Sequence, residues 1–381
     1  MNPKENENNE VNKTSERKEL YKYLDLNKIT KKIYKEVEPA IKEETPVEQI
    51  KPKEPKKSYP QDWTAYNQAQ QIEKIYLMHF LDELLDYIPF QEDKKVGRKP
   101  VSTKDKIFYL TLQSYNIKSS RRCIADLEIA KRLGFIDKAP HFNTILKCLK
   151  DSTLMTYFKH LINVSGIPLQ QVETDFAVDS SGFSTSQFDR WFDVRFGGKE
   201  TDRRRFRKCH LTCGVKTNII TAVNITKGYN ADSPQFKDLV LNTKRIYDIR
   251  EISADKAYSS RENLNIVSQI GGIAFIPFKK SVTKKSRMSG SFLWKRMYKF
   301  YSEHQEEFMQ HYHKRSNSES TFHMLKIKFG SHLRSKYEIG QINEILAKCL
   351  CHNLCVLTQE MFELGINVDF KKCAEIPIAH N

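Results

Sequence analysis

The sequence predicts a mixed α/β domain, a sheet covered by helices, behind a smaller all-helical domain and an unstructured head. Three observations carry this. Short β-rich runs alternate with amphipathic helical runs after about residue 171. Residues 61–170 carry only the three-and-four spacing of helices. Residues 1–60 carry neither pattern.

The head is rich in Lys, Glu and Asn and closes on prolines 46, 52, 55 and 60. Its low apolar content cannot repay the entropy of ordering, so residues 1–60 are expected to form a disordered charged segment. In the helical part, Ile72, Ile75, Leu77, Phe80, Leu81, Leu84, Leu85 and Ile88 mark one face, and Pro89 ends the run. GRKPVSTKD then offers Ser102 or Thr103 as an N-cap. A serine cap opens SSRRCIADLEIAKRLG, with Gly134 as its stop, and a last helix is expected from near Asn143. Basic residues on these helices suit a DNA-contacting or dimerising domain over 61–170. The gap from Gly134 to Asn143 exceeds the ~3–4 residues of a helix-turn-helix turn.

Strands are expected at 172–179, 207–216, 218–228, 250–255 and 271–278, with helices at 233–247 and 259–270 and a long helix from about Leu293 to Phe329. The first three strands can pair as an antiparallel meander, whereas strands separated by helices call for parallel crossovers. The sheet is therefore mixed, within a domain spanning 171–365, followed by a tail over 366–381.

Charge narrows the function. The 381 residues include 63 Lys+Arg and 47 Asp+Glu, a formal +16. Residues 1–60 hold 14 basic and 12 acidic groups, 61–170 hold 16 and 12, and 171–381 hold 33 and 23. The excess lies on the folded part, which points to a polyanionic partner, since phosphate contacts release condensed counterions. No run approaches the ~18 apolar residues of a membrane span, and MNPKENENNE lacks the order of a secretory signal. A cytoplasmic protein with no membrane partner is expected. Of the eight cysteines, Cys209 and Cys213 flank His210, and Cys349, Cys351 and Cys355 crowd around His352. The first group falls in a strand and the second in an apolar helix, so packing as small hydrophobes is favoured over zinc ligation.

Acidic residues carry the chemistry. Asp179 follows FAV and Asp255 follows EISA, so two acids close two apolar runs where side chains converge on a crevice. On the long helix, Tyr312, Arg315, Glu319 and Lys326 fall within ~60° of one another at ~100° per residue, a stripe about 20 Å long.

VDSSGF, SADKAYSS and the Tyr312-x2-Arg315-x3-Glu319-x6-Lys326 pattern resemble the bacterial and archaeal insertion-sequence transposases with an RNase H-like DDE core, of the IS-four-like superfamily. The likeness covers roughly residues 95–358, from GRKP to QINEILAKCLCHNL. It implies an RNase H-like mixed sheet flanked by helices, with Asp179, Asp255 and Glu319 as catalytic and metal-holding acids. Tyr312, Arg315 and Lys326 become DNA-binding accessory residues. Lys256, beside Asp255, joins them by the same likeness. Two departures are the charged head and the interval of only 64 residues between Asp255 and Glu319, which leaves little room for the large β insertion of some relatives.

Phosphodiester cleavage requires in-line attack and a stabilised leaving oxygen, which two Mg²⁺ or Mn²⁺ ions ~3.5–4 Å apart supply, and hard cations prefer carboxylate oxygen. The expected activity is metal-dependent cleavage of double-stranded DNA at transposon ends and strand transfer into a target. A homodimer in a synaptic complex, nucleoid-associated, follows from the family. Arg203, Arg204 and Arg205 in RRRFRK, and the run KKSVTKKSR at 279–287, are candidate backbone contacts or solvated loops. The competing reading is a catalytically inactive, transposase-derived DNA-binding protein.

Overall fold

Five helices lead into the sheet. The computed structural model describes residues 62–91, 100–185, 206–279 and 291–378. The expected disordered head, Arg203, Arg204, Arg205 and nearly all of the 279–287 run lie outside the described residues. The helices are α1 (Trp63–Asp86), α2 (Thr103–Tyr115), α3 (Ser120–Arg132), α4 (Phe142–Leu149) and α5 (Leu154–Val164). Ser102 and Ser119 cap α2 and α3 by accepting from the amides of Asp105 and Arg122. Gly134 follows α3 at φ 83°, a left-handed conformation that glycine adopts without a Cβ clash. The run expected as one helix from Asn143 is two, because Asp151 accepts from both the amide and the hydroxyl of Thr153 and starts a new turn.

The sheet has the order β3-β2-β1-β4-β5. Strands β1 (Asp175–Ser184), β2 (Phe206–Gly214) and β3 (Ile220–Lys227) form the antiparallel meander, while β4 (Glu251–Ala254) and β5 (Ile273–Phe275) add in parallel. Helix α6 (Phe236–Lys244) connects β3 to β4, and α7 (Arg261–Gln269) connects β4 to β5. This is the mixed α/β sheet the sequence predicts, and its fold is RNase H-like.

The expected long helix is broken. Helix α8 (Phe292–Glu303) stops at His304, whose φ −124° and ψ 53° are not helical, and α9 (Gln305–Tyr312) resumes. A 3₁₀ turn over His313–Arg315 then leads into α10 (Ser316–Phe329). No proline or glycine marks either break, so nothing local announced them.

Helix α11 (Glu338–Glu363) is buried along most of its length and ties the helices to the sheet. Its Asn353 donates to the carbonyls of Ile162 (3.0 Å) and Ile220 (2.7 Å) and accepts from the Ile220 amide (2.9 Å), so one satisfied amide joins α5, β3 and α11. All eight cysteines are buried thiols, as packing in the core requires. Among the described residues no helix is long and apolar enough to cross a membrane.

Candidate active site

Two parallel strands bring the aspartates together. The register pairs Val178 with Ala254, so Asp179 and Asp255 are the next residues on strands ~4.8 Å apart. Asp179 does not end its strand, however. It lies inside β1, which pairs with β2 as far as Ser184, while pairing with β4 stops at Val178. Asp179 thus stands where one edge of β1 becomes free. Asp255 caps the short 3₁₀ turn that follows β4. Each carboxylate accepts from the amide of the next residue, Ser180 at 2.8 Å and Lys256 at 2.7 Å.

Helix α10 supplies the third acid through an arginine. Arg315 donates from Nη1 to Asp179 Oδ2 at 2.7 Å and from Nη2 to Glu319. Ser318 donates to Asp179 Oδ2 at 3.2 Å. Burial raises the carboxyl pKa of Asp179, and the charge of Asp255 pushes the same way. Burial opposes the charge on Arg315, but Asp179 and Glu319 outweigh it and raise its pKa. The guanidinium therefore compensates charge at a desolvated carboxylate.

Of the other members of the stripe, Lys326 reaches β1. It donates to Ser181 at 2.6 Å, and burial lowers its pKa. The Tyr312 ring lies 5.8 Å from the Arg315 guanidinium carbon. Although the 3₁₀ turn interrupts the helix, Arg315, Glu319 and Lys326 keep the common direction their spacing implies. Lys256 is exposed at the start of the turn after Asp255.

A polar cluster that sequence reading missed flanks Asp179. Ser180 donates to Asp232 at 2.8 Å, Lys208 pairs with the same oxygen at 2.6 Å, and His210 Nδ1 lies 3.3 Å from it. His210 is wholly buried, and its Nε2 meets the Thr226 hydroxyl at 2.8 Å. Burial works against the Asp232 charge, but His210, Lys208 and Ser180 outweigh it and hold the carboxyl well below its ordinary range. One signal was available: Lys208 and His210 are two apart and share a face of β2, directed at any acid that follows β3.

Among the described residues no three His, Cys, Asp or Glu side chains lie close enough to form a ready metal cluster. The donor set nevertheless fits a hard divalent cation. Asp179, Asp255 and Glu319 offer only carboxylate oxygens, and a guanidinium already supplies positive charge between two of them.

Adjacent aspartates where β1 leaves β4, with the arginine and glutamate of a neighbouring helix joined to one of them, define an acidic site on a mixed α/β sheet. Residues 170–354 match the family described as Transposase DDE domain. That stretch is a DDE transposase domain. A search of solved structures finds a loose likeness to the cryo-EM structure of the piggyBac transposase synaptic complex with hairpin DNA. The TM-score is 0.37 at 10% identity, over 80% of this chain and 78% of that one. No curated protein matches.

Proposed function

We propose that this transposase binds the terminal inverted repeats of its own element, cleaves there and joins the freed 3′ ends to target DNA. In this reading Asp179, Asp255 and Glu319 hold two Mg²⁺ or Mn²⁺ ions. The observation that carries it is the Arg315 bridge, which ties the acid of α10 to the acid of β1 beside the β4 aspartate. When bound, the metal pair would activate the attacking oxygen and stabilise the leaving one. The chain's own residues position the DNA. Arg315 has a planar fork suited to a phosphate, and Lys326, Lys256 and Tyr312 line the approach. Arg203, Arg204 and Arg205 add backbone contacts in the same reading. Ser180 and Ser318 orient the Asp179 carboxylate by hydrogen bonds to its surroundings and to its oxygen. Holding two ends at once calls for a homodimer in a synaptic complex on the nucleoid.

Glu319→Gln tests the reading. With Mg²⁺ and a duplex carrying the element's end, the variant is expected to lose nicking by at least ~10³-fold while binding DNA like wild type. Nicking at the wild-type rate would remove Glu319 from the site. If no form of the protein cuts, the inactive DNA-binding reading takes its place.

A further inference from the structure

We propose that a basic groove at the far end of β1 and α10 grips the DNA backbone about five base pairs from the bond that is cut. The proposal rests on the transposase reading above and adds a second DNA site to it. The groove, about 470 Å³, opens between the ends of α2 and α4, the start of α3 and the 332–337 segment before α11. Six of its walls are Lys118, Arg121, Lys150, Arg334, Lys336 and Lys348, against a single acid, Glu344.

That acid is already spent. Its oxygens accept from the amides of Arg334 (3.0 Å) and Ser335 (3.0 Å), and so hold the 334–335 turn in place. Two of the cations are also committed. Lys118 pairs with Asp126 at 2.8 Å, and Lys348 donates to the carbonyls of Gly330 (3.1 Å) and His332 (3.0 Å). The remaining four, Arg121, Lys150, Arg334 and Lys336, are exposed and face no carboxylate among the described residues. Two of these lie over rings, Arg121 4.5 Å from the Phe142 centroid and Lys150 3.5 Å from that of Tyr337, which pre-orders each side chain while leaving N–H donors open. Burial, then Lys348 and Arg334, lowers the pKa of His332, consistent with a positive field there.

Such a surplus of unpaired cations fits a chain of phosphates better than any neutral or cationic partner. Its place in the fold sets the distance. The Ser184 amide donates to the Ser331 carbonyl (3.1 Å) and Leu333 donates back to Ser184 (2.7 Å), so β1 ends against the segment that forms the groove. From Asp179 to Ser184 is ~17 Å at ~3.3 Å per residue. From Glu319 to Phe329 along α10 is ~15 Å at ~1.5 Å per residue. Both match about five steps of duplex at ~3.4 Å each.

The experiment compares wild type with Arg121→Gln/Lys150→Gln/Arg334→Gln/Lys336→Gln, using a mixed-sequence 30-bp fluorescent duplex between 50 and 200 mM salt. Lys371→Gln/Lys372→Gln, exposed and outside the groove, is the charge control. Four lost phosphate contacts should flatten the log–log salt slope by about 3.6, so wild-type affinity should fall ~150-fold more than that of the variant across this range. Unchanged melting temperatures and single variants that each remove about one unit of slope guard against misfolding. An unchanged slope, or an equal change in the control, overturns the proposal and leaves the acid site untouched. Intact duplex binding with loss of binding to polyglutamate would assign the groove to an acidic protein segment, which also overturns it. A wild-type protein that binds no duplex removes both readings.

Discussion

Arg315 spans Asp179 and Glu319, joining the partly buried acid of β1 to the exposed acid of α10 through a single guanidinium. Its two nitrogens make the two contacts, so an ammonium cannot replace it. Arg315→Lys is expected to lower the single-turnover cleavage rate by ~10–100-fold at saturating DNA. Wild-type cleavage by that variant would show that the bridge has no part in the chemistry.

Lys326 reaches β1 two residues beyond Asp179 and is half-buried, with its charge opposed by desolvation. A phosphate brought alongside would restore what burial removes. Lys326→Met should weaken duplex binding and cut the salt slope by about one unit, measured by anisotropy. Ser181→Ala, which removes only its present partner, should leave the slope unchanged.

Asp232 gathers Ser180, Lys208 and His210 beside β1. Asp232→Asn leaves a lysine and a buried imidazole short of their partner, and is expected to cost about 1–3 kcal/mol in urea unfolding. Because Ser180 adjoins Asp179, cleavage should slow at saturating DNA with no change in DNA affinity. Equal stability and rate would make the cluster incidental.

Glu360 supplies a pH test away from the site. Burial, then Glu363 and Glu173, raises its pKa from 4.5 to about 7. Below the unfolded value the group is protonated in both states and has no effect. As pH rises towards 7 the folded state resists ionisation, and above 7 it carries the full cost of the buried charge, on the order of 3 kcal/mol. Glu360→Gln should therefore stabilise the protein at pH 8 and leave it unchanged at pH 4. Unfolding curves at the two values decide this.

Much of the architecture was legible because it follows local rules. The serine caps, the Gly134 stop and the strand–helix alternation are written in neighbouring residues, and they led to an antiparallel meander joined to parallel strands. Asp179 was misplaced at a strand end because the length of β1 is set by its pairing with β2, not by its own apolar run. The breaks at His304 and His313 also depend on tertiary packing, since no helix-breaking residue marks them. Spacing linked Arg315, Glu319 and Lys326, but it could not find Asp232, which joins Ser180 from 52 residues away. The groove was hidden for a related reason: α3 and the 332–337 segment meet only after folding.

The most direct test of the central claim is the anomalous scattering of Mn²⁺ in crystals of the transposase bound to its uncut end. Peaks coordinated by Asp179, Asp255 and Glu319, with Arg315 moved from its bridge onto a phosphate, are the predicted result. Manganese bound elsewhere, with the Arg315 bridge still closed on both acids in a complex that goes on to cut DNA, would contradict it.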